Sequence, residues 1–85
     1  MNLIDLKKRV AIVTGGAQGF GYAMVDRFSK SEANVVIWDM DKDLMDSLTL
    51  PKNVSTMQVN VTSYESILKA TSSVLKKFGK IDILI

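Results

Sequence analysis

The sequence predicts an α/β fold in which helices cover both faces of a doubly wound parallel sheet. Short segments rich in β-branched residues alternate with helical patterns along all 85 residues. Two of these segments are apolar on both faces, as in strands that helices cover from both sides. Four of the five glycines fall directly after the first such segment. The alternation favours right-handed crossovers and the spatial strand order 3-2-1-4.

Four strands are predicted. Residues 10–13 and 35–38 are short apolar runs that fit central strands of the sheet. Residues 54–61 alternate between apolar and polar side chains, which is typical of an edge or half-exposed strand. Residues 81–85 form the fourth strand, and the sequence stops inside this apolar segment. We therefore expect the 85 residues to be part of a longer domain, and an exposed apolar edge strand to make them poorly behaved alone.

The first two helices are predicted over residues 20–31 and 41–48. Asp41 is the expected N-cap of the second, and Pro51 would end it. Apolar residues at spacings of three and four predict one buried stripe on the first helix: Phe20, Ala23, Met24 and Phe28.

The third helix is predicted over residues 63–78. Thr62 and Glu65 have the spacing of a capping box, and Gly79 is expected just after the last turn. The side chains expected to share the buried face are Ile67, Leu68, Thr71, Val74, Leu75 and Phe78.

Composition excludes several functional classes. The chain is 47% hydrophobic and 24% charged, which is typical of a globular protein, and its net charge of +2 is too small to indicate nucleic acid as a partner. It has no cysteine and no histidine, so thiolate and imidazole sites are excluded. The aspartates between positions 39 and 46 lack the glycine and glutamate of a calcium loop, and no metal site is predicted. We expect neither a membrane span nor a signal peptide, and a cytoplasmic location.

A glycine-rich loop follows the first strand and opens the first helix. It contains Gly15, Gly16, Gly19 and Gly21. Glycine permits positive φ and lets backbone N–H groups approach a phosphate closely, while the helix N-terminus adds free donors. The cluster predicts a pyrophosphate site, although an ordinary glycine turn would also explain it.

An acidic residue, Asp39, ends the second strand, 18 residues after Gly21. Its carboxylate can accept hydrogen bonds from both adenosine ribose hydroxyls and would repel a 2′-phosphate. The neighbouring Met40 and the loop residue Gln18 are uncharged, which favours NAD over NADP, with Lys42 as the opposing signal. The alternative role of Asp39 is that of a turn or capping residue.

The third strand leads into Asn60 and Val61. The Asn60 side-chain carbonyl can accept from an adenine amino group, and the Val61 backbone N–H can face the ring. Equally, Asn60 can simply leave the strand and prepare the Thr62 cap.

The spacing T-G-x-x-x-G-x-G from Thr14 to Gly21 resembles the classical short-chain dehydrogenase/reductase family. Residues 9–15, 33–37 and 78–85 also look like the first third of that family, including its 3-oxoacyl reductases. The resemblance implies a Rossmann-type fold, incomplete here, and hydride transfer between NAD(H) and a carbonyl or alcohol substrate. It also implies a homo-oligomeric complete protein. The residues it places around the cofactor are Gly15, Gln18, Gly19, Phe20, Gly21, Asp39, Asn60 and Val61.

The sequence departs from the family pattern at several points. The family usually has Asp where Asn60 stands and often Gly where Glu32 stands. Its Asn-Asn-Ala-Gly turn, its serine and its Tyr-x-x-x-Lys pair lie beyond the positions matched here. Neither Tyr22 nor Tyr64 has a lysine four residues later, so no catalytic residue is assigned. The alternatives are a non-catalytic nucleotide-binding module and an inert truncated piece.

Overall fold

A parallel sheet forms the centre of the computed structural model, which describes residues 6–85. In that range the strands are Val10–Thr14 (β1), Asn34–Asp39 (β2), Val54–Gln58 (β3) and Ile83–Leu84 (β4). The helices are Gly19–Lys30 (α1), Lys42–Asp46 (α2) and Tyr64–Phe78 (α3). All strand pairs in this range are parallel, and their order is β3-β2-β1-β4. The predicted fold class, element order and strand order are confirmed.

The two faces of the sheet carry separate apolar clusters. Val13, Val35 and Ile37 point to one face, where they meet Val25 of α1 and Met45 of α2. On the other face, β1 and β2 side chains pack against α3, in a cluster containing Val10, Ile12, Val36, Trp38, Val59, Ala70 and Val74. Because side chains alternate across a strand, burial on both faces requires apolar residues at every position. This explains why β1 and β2 are uninterrupted apolar runs.

In residues 6–85, no helix is long and apolar enough to cross a membrane.

The buried stripe predicted for α1 is partly wrong. Met24 and Phe28 pack against the core as expected, but Phe20 is 80% exposed and Ala23 is also exposed. The fully buried residue of the helix is Val25. The side of the helix that faces the sheet is therefore centred on Val25, with Met24 and Phe28 beside it.

The buried face of α3 is narrower than predicted. Ile67, Val74 and Phe78 pack against the sheet together with Ala70, whereas Leu68 and Leu75 are 48% and 45% exposed. Each residue turns the helix by about 100°. Leu68 and Leu75 therefore lie beside the sheet-facing arc rather than within it.

The entry to α3 also differs from the prediction. Strand β3 ends at Gln58 rather than at position 61, although the Val59 N–H still reaches the Asp39 carbonyl at 3.0 Å. The N-cap is Ser63, whose side chain accepts from the Ser66 N–H, and not Thr62. The Thr62 hydroxyl is instead bonded to the Asn60 side chain, which competes for it.

The helix ends follow the expected backbone preferences. Asp41 caps α2 by accepting from the Leu44 N–H at 2.9 Å, as predicted. Gly79 ends α3 with φ of 81°, also as predicted. Glu32 follows α1 with φ of 69°, in the left-handed region that costs a non-glycine residue ~1 kcal/mol.

Asp82 anchors β4 at the amino end of β1. Its Oδ2 accepts from the Val10 N–H at 2.9 Å, and its backbone N–H donates to the Val10 carbonyl. Lys80 and Arg9 lie 3.0 and 3.4 Å from its carboxylate oxygens. The Val10 N–H, followed by Lys80, lowers the pKa of Asp82 below its ordinary value of 3.8.

Gly21 allows the first turn of α1 to pack directly on the glycine loop. A Cβ at this position would collide with the backbone carbonyl of Gly15 and lie 3.0 Å from the Cα of Gly16. Those atoms belong to the backbone and cannot move aside by a rotamer change. The close approach of helix and loop therefore requires glycine at position 21.

Acid is expected to weaken the fold through Asp82. Because the pKa of Asp82 is lower in the folded chain, its stabilising contribution is complete above 3.8 and is lost as the pH falls through the folded value. Urea denaturation at a series of pH values should show this loss, and Asp82→Asn should remove that part of the pH dependence. Asp43→Asn is the control, since the Asp43 carboxylate has no partner within residues 6–85. Equal acid sensitivity of both variants would contradict the assignment.

Gly21→Ala is expected to lower the free energy of unfolding by ~1–3 kcal/mol, the usual cost of overpacking. Helix propensity alone predicts the opposite sign, a gain of up to ~1 kcal/mol. Denaturant titration distinguishes a loss from a gain in the free energy of unfolding. Ser72→Ala, on the exposed side of α3, serves as the control and should stabilise slightly. A stabilised Gly21→Ala protein would show that the contact with Gly15 is not limiting.

Candidate functional site

The candidate site lies at the carboxyl ends of the strands. The strand order reverses at β1, because β2 and β3 lie on one side of it and β4 lies on the other. In open parallel sheets, ligands bind in the crevice that this reversal creates outside the carboxyl ends. The loop from β1 to α1 and the loop from β2 to α2 both leave the sheet at this edge.

The glycine loop has the backbone geometry that its sequence predicts. Gly15 and Gly19 have φ values of 64° and 60°, and a Cβ on either would meet no atom within 4 Å. The Gly15 N–H donates to the Trp38 carbonyl at 2.7 Å, which ties the loop to the end of β2. The loop therefore presents bare backbone at Gly15 and Gly19, and its start is held against the end of β2.

The N-terminus of α1 has no side-chain cap. Gln18 occupies the N-cap position with an extended backbone, and its side chain makes no capping hydrogen bond. The first turn contains no acidic residue. Capping side chains do close the N-termini of α2 and α3, through Asp41 and Ser63. The positive end of the α1 dipole and the N–H groups of its first turn are thus left without a capping side chain or an acidic residue of the helix itself.

Asp39 connects the glycine loop to the second loop. Its Oδ2 accepts from the Ala17 N–H at 3.3 Å, and its Oδ1 accepts from the Asp41 N–H at 3.0 Å. The hydrogen bond to Asp41 gives Asp39 the turn role considered above, and the hydrogen bond to Ala17 places its carboxylate beside the glycine loop. A carboxylate offers about four lone-pair positions, so two remain for a ligand.

Lys42, the cation closest in sequence to Asp39, is engaged within its own helix. Its Nζ lies 2.6 Å from Asp46 Oδ2, in an i,i+4 pair with both side chains more than half exposed. The structure therefore pairs this lysine with a carboxylate rather than leaving it over the end of β2.

A cavity of about 240 Å³ opens beside Asp39, between the ends of β2 and β3. Its lining residues are Met40, Gln58, Asn60 and Ser66. Met40 and Val61 are 59% and 49% exposed, so apolar side chains are available to a ligand at this edge. Gln58 donates from Nε2 to the Met40 carbonyl at 3.1 Å, which joins the two strand ends.

Asn60 is held by hydrogen bonds on both its backbone and its side chain. Its N–H donates to Ser66 Oγ at 3.0 Å. Its Oδ1 accepts from the Thr62 N–H at 3.0 Å and from the Thr62 hydroxyl at 2.6 Å. The structural role considered for Asn60, preparing the turn before α3, is thus realised through its carbonyl oxygen.

The residues singled out in the sequence fall into two groups at this edge. Gly15, Gln18, Gly19, Phe20 and Gly21 form the loop and first helical turn, whereas Met40, Asn60 and Val61 lie around the ends of β2 and β3; Asp39 lies between the groups. Sequence reasoning missed Gln58 and Ser66 as cavity residues. The two-residue spacing of Gln58 and Asn60 could have indicated that Gln58 lines the cavity, but nothing local indicated Ser66.

Within residues 6–85, no group of three acidic, histidine or cysteine side chains could hold a metal ion.

Known proteins with similar sequences are oxidoreductases. The chain is 38% identical over 82 residues to an NAD-dependent glycerol dehydrogenase of Listeria innocua, covering 94% of the chain and 32% of that relative. It is 34% identical over 85 residues to the 3-oxoacyl-[acyl-carrier-protein] reductase FabG of Thermotoga maritima, covering 94% and 35%. The chain thus spans about a third of the length of these relatives.

Solved structures show the same relationship in three dimensions. A 3-ketoacyl-(acyl-carrier-protein) reductase of Brucella melitensis complexed with NADH superposes with a TM-score of 0.86 at 34% identity, over 93% of this chain and 33% of that one. A short chain dehydrogenase of Bacillus anthracis gives a TM-score of 0.82 at 36% identity, over 93% and 35%. Residues 9–85 match the sequence pattern of the short chain dehydrogenase family, and the chain belongs to that family.

Proposed function

We propose that the chain is the NAD-binding part of a short-chain oxidoreductase that transfers hydride between NAD(H) and an alcohol or carbonyl substrate. The observation that carries the proposal is the hydrogen bond from the Ala17 N–H to the Asp39 carboxylate. It joins a loop suited to a pyrophosphate and an acid suited to a ribose within one crevice. NAD, when bound, supplies the hydride acceptor of the reaction.

The glycine loop fits a pyrophosphate. Gly15 and Gly19 leave open space where side chains would otherwise stand, and the uncapped first turn of α1 offers N–H donors. Phe20, with 80% of its side chain exposed, is available to cover the ligand. In this proposal, Gly21 contributes by holding the helix against the loop.

Asp39 supports a preference for NAD over NADP. Its two remaining acceptor positions suit the two hydroxyls of the adenosine ribose, and its charge would oppose a 2′-phosphate. Lys42 could offset that repulsion only by leaving Asp46. Gln18 and Met40 supply no positive charge in compensation.

The base is proposed to occupy the cavity beside Asp39. Met40 and Val61 offer apolar contact, and Asn60 lines the wall. The Val61 N–H has no hydrogen-bond partner within residues 6–85 and can donate to a ring nitrogen.

We assign only cofactor-binding roles to these residues, and no catalytic group. The substrate class is proposed from the family, whose members named above include a glycerol dehydrogenase and 3-oxoacyl reductases. A small alcohol or a 3-oxoacyl thioester would therefore be the first substrates to assay with the complete protein.

Coenzyme binding tests the proposal. Calorimetric titration of the full-length protein should show tighter binding of NAD than of NADP. Asp39→Ala should weaken NAD binding at least about tenfold, since hydrogen bonds to a charged group contribute ~1.5–3 kcal/mol, and should relax the preference. Tighter binding of NADP by the unaltered protein would contradict the role of Asp39.

Lys42 provides a matched pair of variants for the same experiment. Asp46→Ala frees Lys42 and should raise the affinity for NADP, whereas Asp43→Ala removes an equal charge from the same helix and leaves the Lys42–Asp46 pair intact. Equal effects of the two variants on NADP binding would show that general charge, and not the freed lysine, controls the preference.

A further inference from the structure

A groove between α3 and β3 lies outside the candidate site. It has two adjoining parts of about 210 and 150 Å³. The smaller part lies at the amino ends of β2 and β3, since Asn34 and Val54 line it. The larger part extends along β3 to Met57. The residues that line both parts, and so make the groove continuous, are Ser55, Lys77 and Phe78.

The floor of the larger part is apolar. Val36 of β2 and Val74 of α3 line it and are each 2% exposed, while Met57 and Phe78 are partly buried beside them. Ser55 pairs with Val36 across the sheet and therefore faces α3 with it. Its small side chain leaves room for a ligand over this part of the strand. An apolar chain lying along β3 would bury its CH₂ groups there.

The amino end of the groove is positively charged. Lys52 lines the smaller part and Lys77 lines both, and no acidic residue of the described chain lines either. The Lys77 Nζ lies 5.2 Å from the centroid of the Phe78 ring, a cation–π contact that holds its charge beside the groove. Neither lysine forms an ion pair within residues 6–85. A carboxylate bound here would therefore neutralise two ammonium groups that have no acidic partner in that range.

We propose that the groove binds a small carboxylic acid with an unbranched apolar chain. The carboxylate lies between Lys52 and Lys77, and the chain runs along β3 towards Met57. From Val54 to Met57 the strand rises ~10 Å, which sets the length of chain that the groove covers. Charge and shape together favour this class of ligand. A neutral chain would leave both lysines unpaired, and an inorganic anion would leave the apolar floor uncovered.

The groove is separate from the proposed cofactor crevice. Its charged end lies beside Asn34 at the amino end of β2, whereas Asp39 ends the same strand at its carboxyl end. The inference therefore does not depend on the proposed function. It concerns a second ligand that binds whether or not NAD is present.

Octanoate and hexanoate are the probes, titrated into the full-length protein with isotope-labelled methionine and valine methyl groups. Octanoate should shift the NMR signals of the Met57 and Val74 methyl groups, which report from the groove itself. Hexanoate should bind about tenfold more weakly, because it lacks two CH₂ groups that each contribute about threefold to fourfold. Unchanged Met57 and Val74 signals, or equal affinity for the two acids, would overturn the proposal.

Lys77→Gln and Lys76→Gln are a matched pair of variants. Each removes one positive charge from the last turn of α3, but only Lys77 lines the groove. Lys77→Gln should weaken octanoate binding about threefold, the scale of an exposed ion pair, whereas Lys76→Gln should leave it nearly unchanged. Equal effects of the two variants would contradict the placement of the carboxylate.

Ser55→Leu tests the placement of the apolar chain. The leucine side chain would fill the space over Val36 and should abolish the octanoate-induced shift of the Met57 signal. Circular dichroism and cooperative thermal unfolding would establish that the variant is folded, and octanoate binding retained in the folded variant would overturn the proposal. Saturating NAD should leave the octanoate affinity unchanged. Displacement of octanoate by NAD would place the acid in the cofactor crevice and would equally overturn the inference.

Discussion

Burial of β1 and β2 on both faces is the constraint on which the remaining structure depends. Their side chains between Val10 and Val13 and between Val35 and Trp38 are 3% exposed or less. Such strands need helices on each side, and parallel strands need crossovers long enough to contain a helix. Both requirements are met by α1 and α2 on one face and α3 on the other. The crossovers also bring the loops after β1 and β2 to the same edge of the sheet.

The candidate site uses this edge because backbone groups there remain unpaired. Its loops are joined by two contacts, from the Gly15 N–H to the Trp38 carbonyl and from the Ala17 N–H to Asp39. Both link β1–α1 to the end of β2, so the positions of the loop and of the acid are coupled. A ligand bound by both would meet a site that the fold has already assembled, which reduces the ordering cost of binding.

The parts of the structure that could be predicted are those set by local pattern. Apolar runs identified the strands, and Asp41 and Gly79 identified helix ends, because each depends on a few adjacent residues. The N-cap of α3 could not be read in this way, since Thr62 and Ser63 are both good caps and the Asn60 side chain decides between them. The exposure of Phe20 and Leu68 likewise depends on where the helices lie relative to the sheet, which spacing along one helix does not specify.

In the candidate site, too, some features follow from local sequence and others depend on neighbours elsewhere in the fold. Glycine spacing and the end of the second strand were sufficient to predict that the glycine loop and Asp39 lie at one edge of the sheet, because strand ends in a parallel sheet lie together. The hydrogen-bonding state of each side chain was not predictable, since it depends on neighbours brought in by the turns. Asn60 illustrates the difference: its carbonyl was expected to be available to a base, yet Thr62 supplies two donors to that oxygen. The turn that starts α3 thereby occupies the Asn60 carbonyl oxygen, so a contact made to begin a helix decides the hydrogen-bonding state of a side chain that lines the cavity.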